Sequence, residues 1–442
     1  MRKTQLLLGF TAIGFAGSAC ATNGMNLEGY GPVAAAMGGA SMAYDNGNAA
    51  VMNNPATLGL MGQGSRLDIA VGLLGPDVTM SAGGGPKADS DGTSYIMPAV
   101  GWAKKNGHIT YGVAMFAQGG MGTEWDSPTF TGAYSPDGGP MRSELGVGRL
   151  IAPLAYEVNP DLVIGGSIDY VWAMMDLKMA LPAAQLGAMV TNFLALPAPV
   201  QGLLGAASYG RLEFSDGSDY TGKAKAAGFA GKLGFTYKAS PTVTVGGTYH
   251  SKTNLGDMET HSDGASFTTD ISPTTPGKIS VVDFQWPETY GLGIAVQANK
   301  NLMIAADVKH IGWQDVMKNF NMTFSSPALG PVPIQMSMPQ NWDDQTIYQL
   351  GFAYKATDAL TLRAGASFSD NPIPDSTMNF LFPAIEKNHY TAGVGYDFSK
   401  DSGLNFSLQF APKVTQTNAA GLAPVTVSHS QTSWQLMYSK RF

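Results

Sequence analysis

From about Ser65 to the end of the chain, large apolar residues recur at every second position in run after run, and that period fixes the secondary structure. Alternate side chains of a β-strand point to opposite faces. The runs Leu67, Ile69, Val71, Leu73; Phe229, Leu233, Phe235, Tyr237; Tyr348, Leu350, Phe352, Tyr354; and Leu404, Phe406, Leu408, Phe410 each put their bulk on one face. The positions between are small or polar, as in Asn405, Ser407 and Gln409. Composition then says what covers the apolar face. Hydrophobic residues make up 44% of the 442 and charged ones only 13%, few for the surface of a soluble domain. Past the first residues no stretch of ~18 apolar residues could cross a bilayer as a helix. A chain that meets lipid with alternate residues of many strands satisfies both facts, because only helices and closed barrels cross a bilayer with every backbone group paired.

The connections predict the topology. Short turns at Lys104 to Gly107, Asn159 to Asp161, Ala239 to Pro241, Ala298 to Asn301, Ala356 to Asp358 and Ser399 to Ser402 alternate strictly with long segments such as Leu177 to Tyr220 and Thr253 to Gly277. Short turns therefore face the periplasm and long loops the exterior. The expectation is an all-β, transmembrane antiparallel β-barrel of about 14 strands over residues 65–442, with both termini inside.

Both ends of the chain fit an outer membrane of a Gram-negative bacterium. Residues 1–21 read as a cleavable signal peptide: Arg2 and Lys3, an apolar run from Gln5 to Gly17, and Ala19-Cys20-Ala21 as the cleavage site. Cleavage there removes the one cysteine. At the far end Trp434, Leu436 and Tyr438 alternate and Phe442 closes the chain, a pattern that resembles the sorting signal of outer-membrane barrels and implies the barrel assembly machinery as a partner. The net charge of -7, with no Lys/Arg run, excludes nucleic acid as a partner. A monomer in outer-membrane lipid is expected.

Residues 22–64 break the pattern, being rich in Gly, Ala and Asn with no sustained alternation. A barrel of this size has a lumen too wide for its own side chains to fill, and a segment starting on the periplasmic side is placed to plug it. Asn23-Gly24-Met25-Asn26-Leu27-Glu28-Gly29-Tyr30-Gly31, Ala36-Met37-Gly38-Gly39-Ala40, Gly47-Asn48-Ala49-Ala50 and Asn54-Pro55-Ala56 resemble the N-terminal hatch of the FadL family of long-chain fatty acid transporters. The Leu27 to Gly31 stretch is similar to the toluene-transporter branch. The resemblance implies passive transport of hydrophobic compounds: binding at outer loops, transfer to a lumen pocket, and sideways exit gated by the hatch. Long-chain fatty acids are the first ligand expected from it, with monoaromatic hydrocarbons as the alternative.

Several residues are candidates for that route. Leu186, Val190, Phe193 and Leu194 on one helix-like piece, and Leu203 and Leu204 on a second after Pro197 and Pro199, would line an entry groove; packing of these faces on each other is an equal reading. Leu27, Arg149, Lys309 and Arg363 are pocket candidates, the cations suiting a carboxylate; as buried charges they equally serve a lumen network. Pro98 and Pro153 sit in the two strands flanking the third, at positions where proline removes a ladder donor, and mark a lateral opening or else a bulge. No catalytic residue, metal ligand or cofactor is expected: G-x-S-x-G is absent and the six histidines lack metal-ligand spacing. A barrel phospholipase or a porin for polar solutes remains as a reading from another class. A plugged barrel should show little ion conductance in planar bilayers, whereas an open pore would conduct.

Overall fold

The computed structural model describes residues 23–126, 135–420 and 424–442; the expected signal peptide, residues 1–21, lies outside them. The alternating runs form one antiparallel sheet that closes on itself. Its closed circuit begins with β1 (Gly64–Leu74), β2 (Tyr95–Asn106), β3 (Ile109–Trp125), β4 (Met141–Asn159), β5 (Leu162–Pro182) and β6 (Tyr209–Phe214). It continues through β7 (Ala224–Ser240), β8 (Val243–His250), β9 (Met258–Glu259), β10 (Ala265–Thr269), β11 (Ser272–Val282) and β12 (Thr289–Gln297). The last six are β13 (Leu302–Ile311), β14 (Gln345–Lys355), β15 (Leu360–Phe368), β16 (His389–Ser399), β17 (Ser402–Asn418) and β18 (Val425–Arg441). β18 returns to β1 from Leu73↔Trp434 down to Arg66↔Arg441, so the 18-strand circuit itself has no open edge.

The circuit holds 18 strands, which corrects the expectation of about 14. The difference arises in the two outer segments that turn spacing reads as loops. β6 pairs with the outer end of β5, β10 with both β6 and β11, and β9 joins β11 to β7. β5 and β7 also pair directly along Leu162 to Met175, so these four strands extend the wall at its outer end. β6, β9 and β10 are short, and without a long apolar alternation they are easily missed.

Lipid-facing positions are those the period selects. Ile168, Leu233 and Leu292 are 70%, 67% and 64% exposed, while their sequence neighbours Asp169 and Lys232 are buried on the inner side. Such apolar exposure is tolerable only in lipid. Tyr237, Tyr354, Tyr396 and Phe398 gather near the short turns, where an aromatic girdle belongs.

The segment Asn23 to Met61 is buried almost throughout and contains the short helices Pro32–Ala35 and Ala50–Asn53 and the 3-10 turn Pro55–Leu60. Its hydrogen bonds reach strands all round the ring. Asn48 donates to Asp68 of β1 and Gly101 of β2, Asn54 to Phe235 of β7, and Ser41 and Met42 to Asp307 of β13. Glu28 O accepts from Gln349 of β14, and Gly38 donates to Thr391 of β16. A segment tied to so many members of a closed ring is enclosed by it. Close approach depends on glycine at several wall positions. At Gly246 of β8 an added Cβ would stand 1.9 Å from Met42 O. The variant G246A should therefore lose about 1–3 kcal/mol through overpacking; urea unfolding from lipid vesicles measures it, with G62A, which has open space around it, as the unaffected control.

Candidate functional site

Inside the barrel, β4, β5 and β7 turn Arg149, Asp169 and Lys232 toward the lumen, all 2% exposed or less. Arg149 Nη1 lies 2.8 Å from Asp169 Oδ2, which also pairs with Lys232 Nζ, while Arg149 Nε donates to Gln118 Oε1. Two cations thus share one carboxylate. A polar cavity beside this cluster is lined by Arg149, Lys232 and Lys309 together with Leu27, Tyr30 and His250. Three of the four sequence-selected pocket residues, Leu27, Arg149 and Lys309, are brought together there. Arg363 is not; it bonds Asn405 Oδ1 at 3.0 Å elsewhere in the wall. Lys309 is engaged as well, donating to Glu28 O at 3.2 Å.

A second cavity, toward the outer side, is of a different kind. Four thioethers from Met25, Met121, Met175 and Met317 and three rings from Phe284, Phe320 and Phe382 line it, with Leu145 and Gln340. Sulfur-aromatic contacts among these groups contribute about 0.3–1.5 kcal/mol each, and the groups pack closely, leaving a space of about 10 Å³. Phe382 enters from the outer segment after β15, whose residues Phe380 to Ile385 fold inward and are buried. Thr123 and Ser143 donate to Phe380 O and Leu381 O and hold it down.

A third cavity reaches the wall. Leu27, Tyr30 and Gly31 line it on the inside, with Val71, Met97, Pro98, Phe116 and Ala117 on the barrel side. The β2–β3 ladder runs from Asn106↔Ile109 to Ala99↔Phe116 and ends there, one residue short of Pro98. On the other flank the β3–β4 ladder is interrupted between Tyr111↔Leu154 and Ala114↔Ile151, where Pro153 stands, and its register shifts between Ala117 and Gly119. The two prolines thus coincide with breaks on both sides of β3, as proline's missing donor requires. The segment grips this same stretch: Asn26 bridges to Gly119, and the Tyr30 hydroxyl donates to Gln118 O at 2.7 Å. Burial raises the Tyr30 phenol well above its usual pKa, which keeps that donor protonated.

A family model described as outer membrane protein transport protein (OMPP1/FadL/TodX) matches residues 11–436. The chain belongs to this family. It is an outer-membrane β-barrel transport protein for hydrophobic compounds, and the family consists of channels rather than enzymes. Among solved structures, the toluene transporter TodX of Pseudomonas putida is 32% identical at a TM-score of 0.82, over 94% of this chain and 99% of that one. The toluene transporter TbuX of Ralstonia pickettii is 29% identical at 0.76, with the same coverage. A FadL homologue of Pseudomonas aeruginosa, 17% identical over 95% of this chain and 100% of that one at a TM-score of 0.72, shares the fold. An uncharacterised protein of Chlorobium limicola is 44% identical over 103 residues, 23% of this chain and about half (49%) of that protein.

In this family member Asn54-Pro55-Ala56 has a local role. Asn54 caps the 3-10 turn by accepting from Ala56 N–H at 3.1 Å, and its amide donates to Met42 O and Phe235 O. The outer helices Ala183–Met189 and Ala198–Ala206 form as the residues around Pro197 suggest, but they do not present one apolar face. Leu186, Val190 and Leu204 are buried, Phe193 and Leu203 half-buried, and Leu194 is 89% exposed. The Met-rich cavity is what residue-by-residue reading misses. Its signal is faint, a methionine at an inward position near the outer end of β3 and of β5 (Met121, Met175), because the rest comes from loops. For the charge cluster, D169N leaves two buried cations without their carboxylate and should cost about 3–5 kcal/mol in the same unfolding measurement, whereas D257N, at an exposed loop position, should cost little.

Proposed function

We propose that this protein carries monoaromatic hydrocarbons passively across the outer membrane, with residues 22–64 acting as the hatch. The observation that supports it best is the way six consecutive residues separate three cavities. Met25 faces the Met/Phe chamber, Asn26, Leu27 and Tyr30 face the charged cavity, and Leu27 and Tyr30 also face the wall cavity at Pro98. A shift of this stretch would join chamber to wall without opening a pore along the barrel axis. The route then runs from the outer helices, with exposed Leu194 as first contact, through the Met/Phe chamber, and out beside β3.

Two considerations favour aromatic hydrocarbons over long-chain fatty acids. The relatives of high similarity are described as toluene transporters and a monoaromatic hydrocarbon channel. The lumen cations that would hold a carboxylate already have partners, Arg149 and Lys232 in Asp169 and Lys309 in Glu28 O, and the chamber itself has no charged lining residue. Phe442, which pairs with Ser65 through both backbone groups and leaves its ring 66% exposed, is available to be read during assembly.

Uptake of radiolabelled toluene and oleate by a deletion strain with the gene restored tests this. Toluene uptake should return and oleate uptake should not; oleate uptake alone would overturn the assignment. Bridging P98C to A117C with a short bifunctional thiol reagent should lower toluene uptake at least about tenfold, the loss appropriate to a blocked transition path. Unchanged uptake after complete bridging rules out an exit beside β3.

A further inference from the structure

His429 of β18 is buried, and each of its ring nitrogens meets an acceptor: Nδ1 lies 2.8 Å from Pro383 O and Nε2 2.7 Å from Glu386 Oε1. A carbonyl oxygen only accepts, so Nδ1 carries a hydrogen. At 2.7 Å a carboxylate oxygen facing an unprotonated ring nitrogen would be two acceptors in contact, so the ion pair needs a second proton on the ring. Pro383 and Glu386 both belong to the segment after β15 that folds inward and sets Phe382 against the Met/Phe cavity. Glu386 is the one charged residue of the stretch Phe380 to Glu386, and it is wholly buried. Other ties of this strap join neutral groups: Thr123 and Ser143 donate to Phe380 O and Leu381 O, and Asn418 to Met378 O.

The pair stands past the lipid-facing band. Phe410 is the last outward apolar residue of β17, and the outward residues at the level of His429 are polar, Lys413 and Thr415 on β17 and Ser428 and Ser430 on β18. Other titratable groups around the ring are Asp77 on the neighbouring strand Pro76–Ala82, Lys413, 4.0 Å from Asp77, and His389 at the start of β16, whose Nδ1 is 3.3 Å from Ser367 Oγ. Lys387, next to Glu386, reaches outward to Asp370. Burial alone favours the neutral ring of His429, but the Glu386 carboxylate outweighs it and holds the imidazolium above its usual range. The ring therefore binds its second proton more tightly with the strap down than with it lifted. That contribution is complete below about pH 6.5 and is lost as the pH rises through the higher value of the closed form. Without the proton, Glu386 is a buried carboxylate with no cation, which solvent relieves once the strap lifts.

We infer that the inward strap is a pH-sensitive lid, latched over the Met/Phe cavity by the His429–Glu386 ion pair and released when that pair loses its proton. Because the cavity beneath holds only about 10 Å³, lifting the strap is also what makes room for a ligand; that consequence rests on the proposed route, whereas the latch does not.

Residues 22–442 contain no cysteine, so A384C, at a position 2% exposed, reports release by its reaction with a methanethiosulfonate reagent in detergent. Dividing each rate by that of D257C, on an exposed loop, at the same pH cancels the change in thiolate fraction. The normalised rate should rise about tenfold or more between pH 6 and pH 9, one linked proton giving up to tenfold per pH unit. Added H429Q or E386Q should abolish the rise, and H389Q should keep it, in proteins whose barrels still resist unheated SDS. A flat profile for A384C alone overturns the latch, and needs no further variant. So does a rise that persists in H429Q or in E386Q, or one that is lost in H389Q. Toluene uptake by cells carrying H429Q reads the route separately: no change in uptake with the strap shown to be lifted overturns the route and leaves the latch standing.

Discussion

Backbone hydrogen bonding in a medium without water governs this structure. Inside hydrocarbon an unpaired N–H or C=O has no solvent to turn to, so the ladder must close on itself, and the join of β18 to β1 is the bond set on which every other feature depends. Closure in turn creates a lumen, and a lumen of this width must be filled or left open. The chain's own N-terminal segment is bonded to strands round the ring and meets them at glycines such as Gly246, where the two backbones nearly touch. Where the ladder is allowed to lapse, at Pro98 and Pro153, the lapse is confined to the flanks of one strand and backed by the same segment.

The interior divides by chemistry as well as by space. Charges collect on β4, β5, β7 and β13 around Asp169, Lys232 and Lys309, near the middle of the enclosed segment, and there they hold one another and the segment in place. Thioethers and rings collect on the outer side. A ligand without charge gains nothing from the first region and a good deal from the second. The separation favours the aromatic reading over the fatty acid reading, because a carboxylate drawn to the first region would have to displace contacts that Arg149 and Lys232 make with Asp169 and Lys309 with Glu28 O.

Much of the wall was legible in the residues. The two-residue period picked out Ile168, Leu233 and Tyr354 as outward, and the prolines at 98 and 153 marked breaks that the pairing shows on both sides of β3. Strand count was less legible, since β6, β9 and β10 are short and carry no long apolar alternation. The pocket was legible only in part. Leu27, Arg149 and Lys309 share a cavity because inward parity is a local property, whereas Arg363 has the same parity and lies elsewhere, a matter of height and angle that parity does not encode. Phe382 and Gln340 reach the chamber from loops that fold inward, a tertiary event with no periodic trace.

The stretch from Met25 to Tyr30 has a consequence for the cell as a whole. One short piece of chain borders all three cavities, so in the proposed route a molecule passes from one to the next while the remainder of the segment stays bonded to the wall. On the route proposed above the arrangement would work as an airlock works, with a passenger admitted and released but no moment at which both sides are joined. By that proposal, an envelope built to retain ions and exclude detergents admits oily solutes through a protein that opens no path for what is dissolved in water.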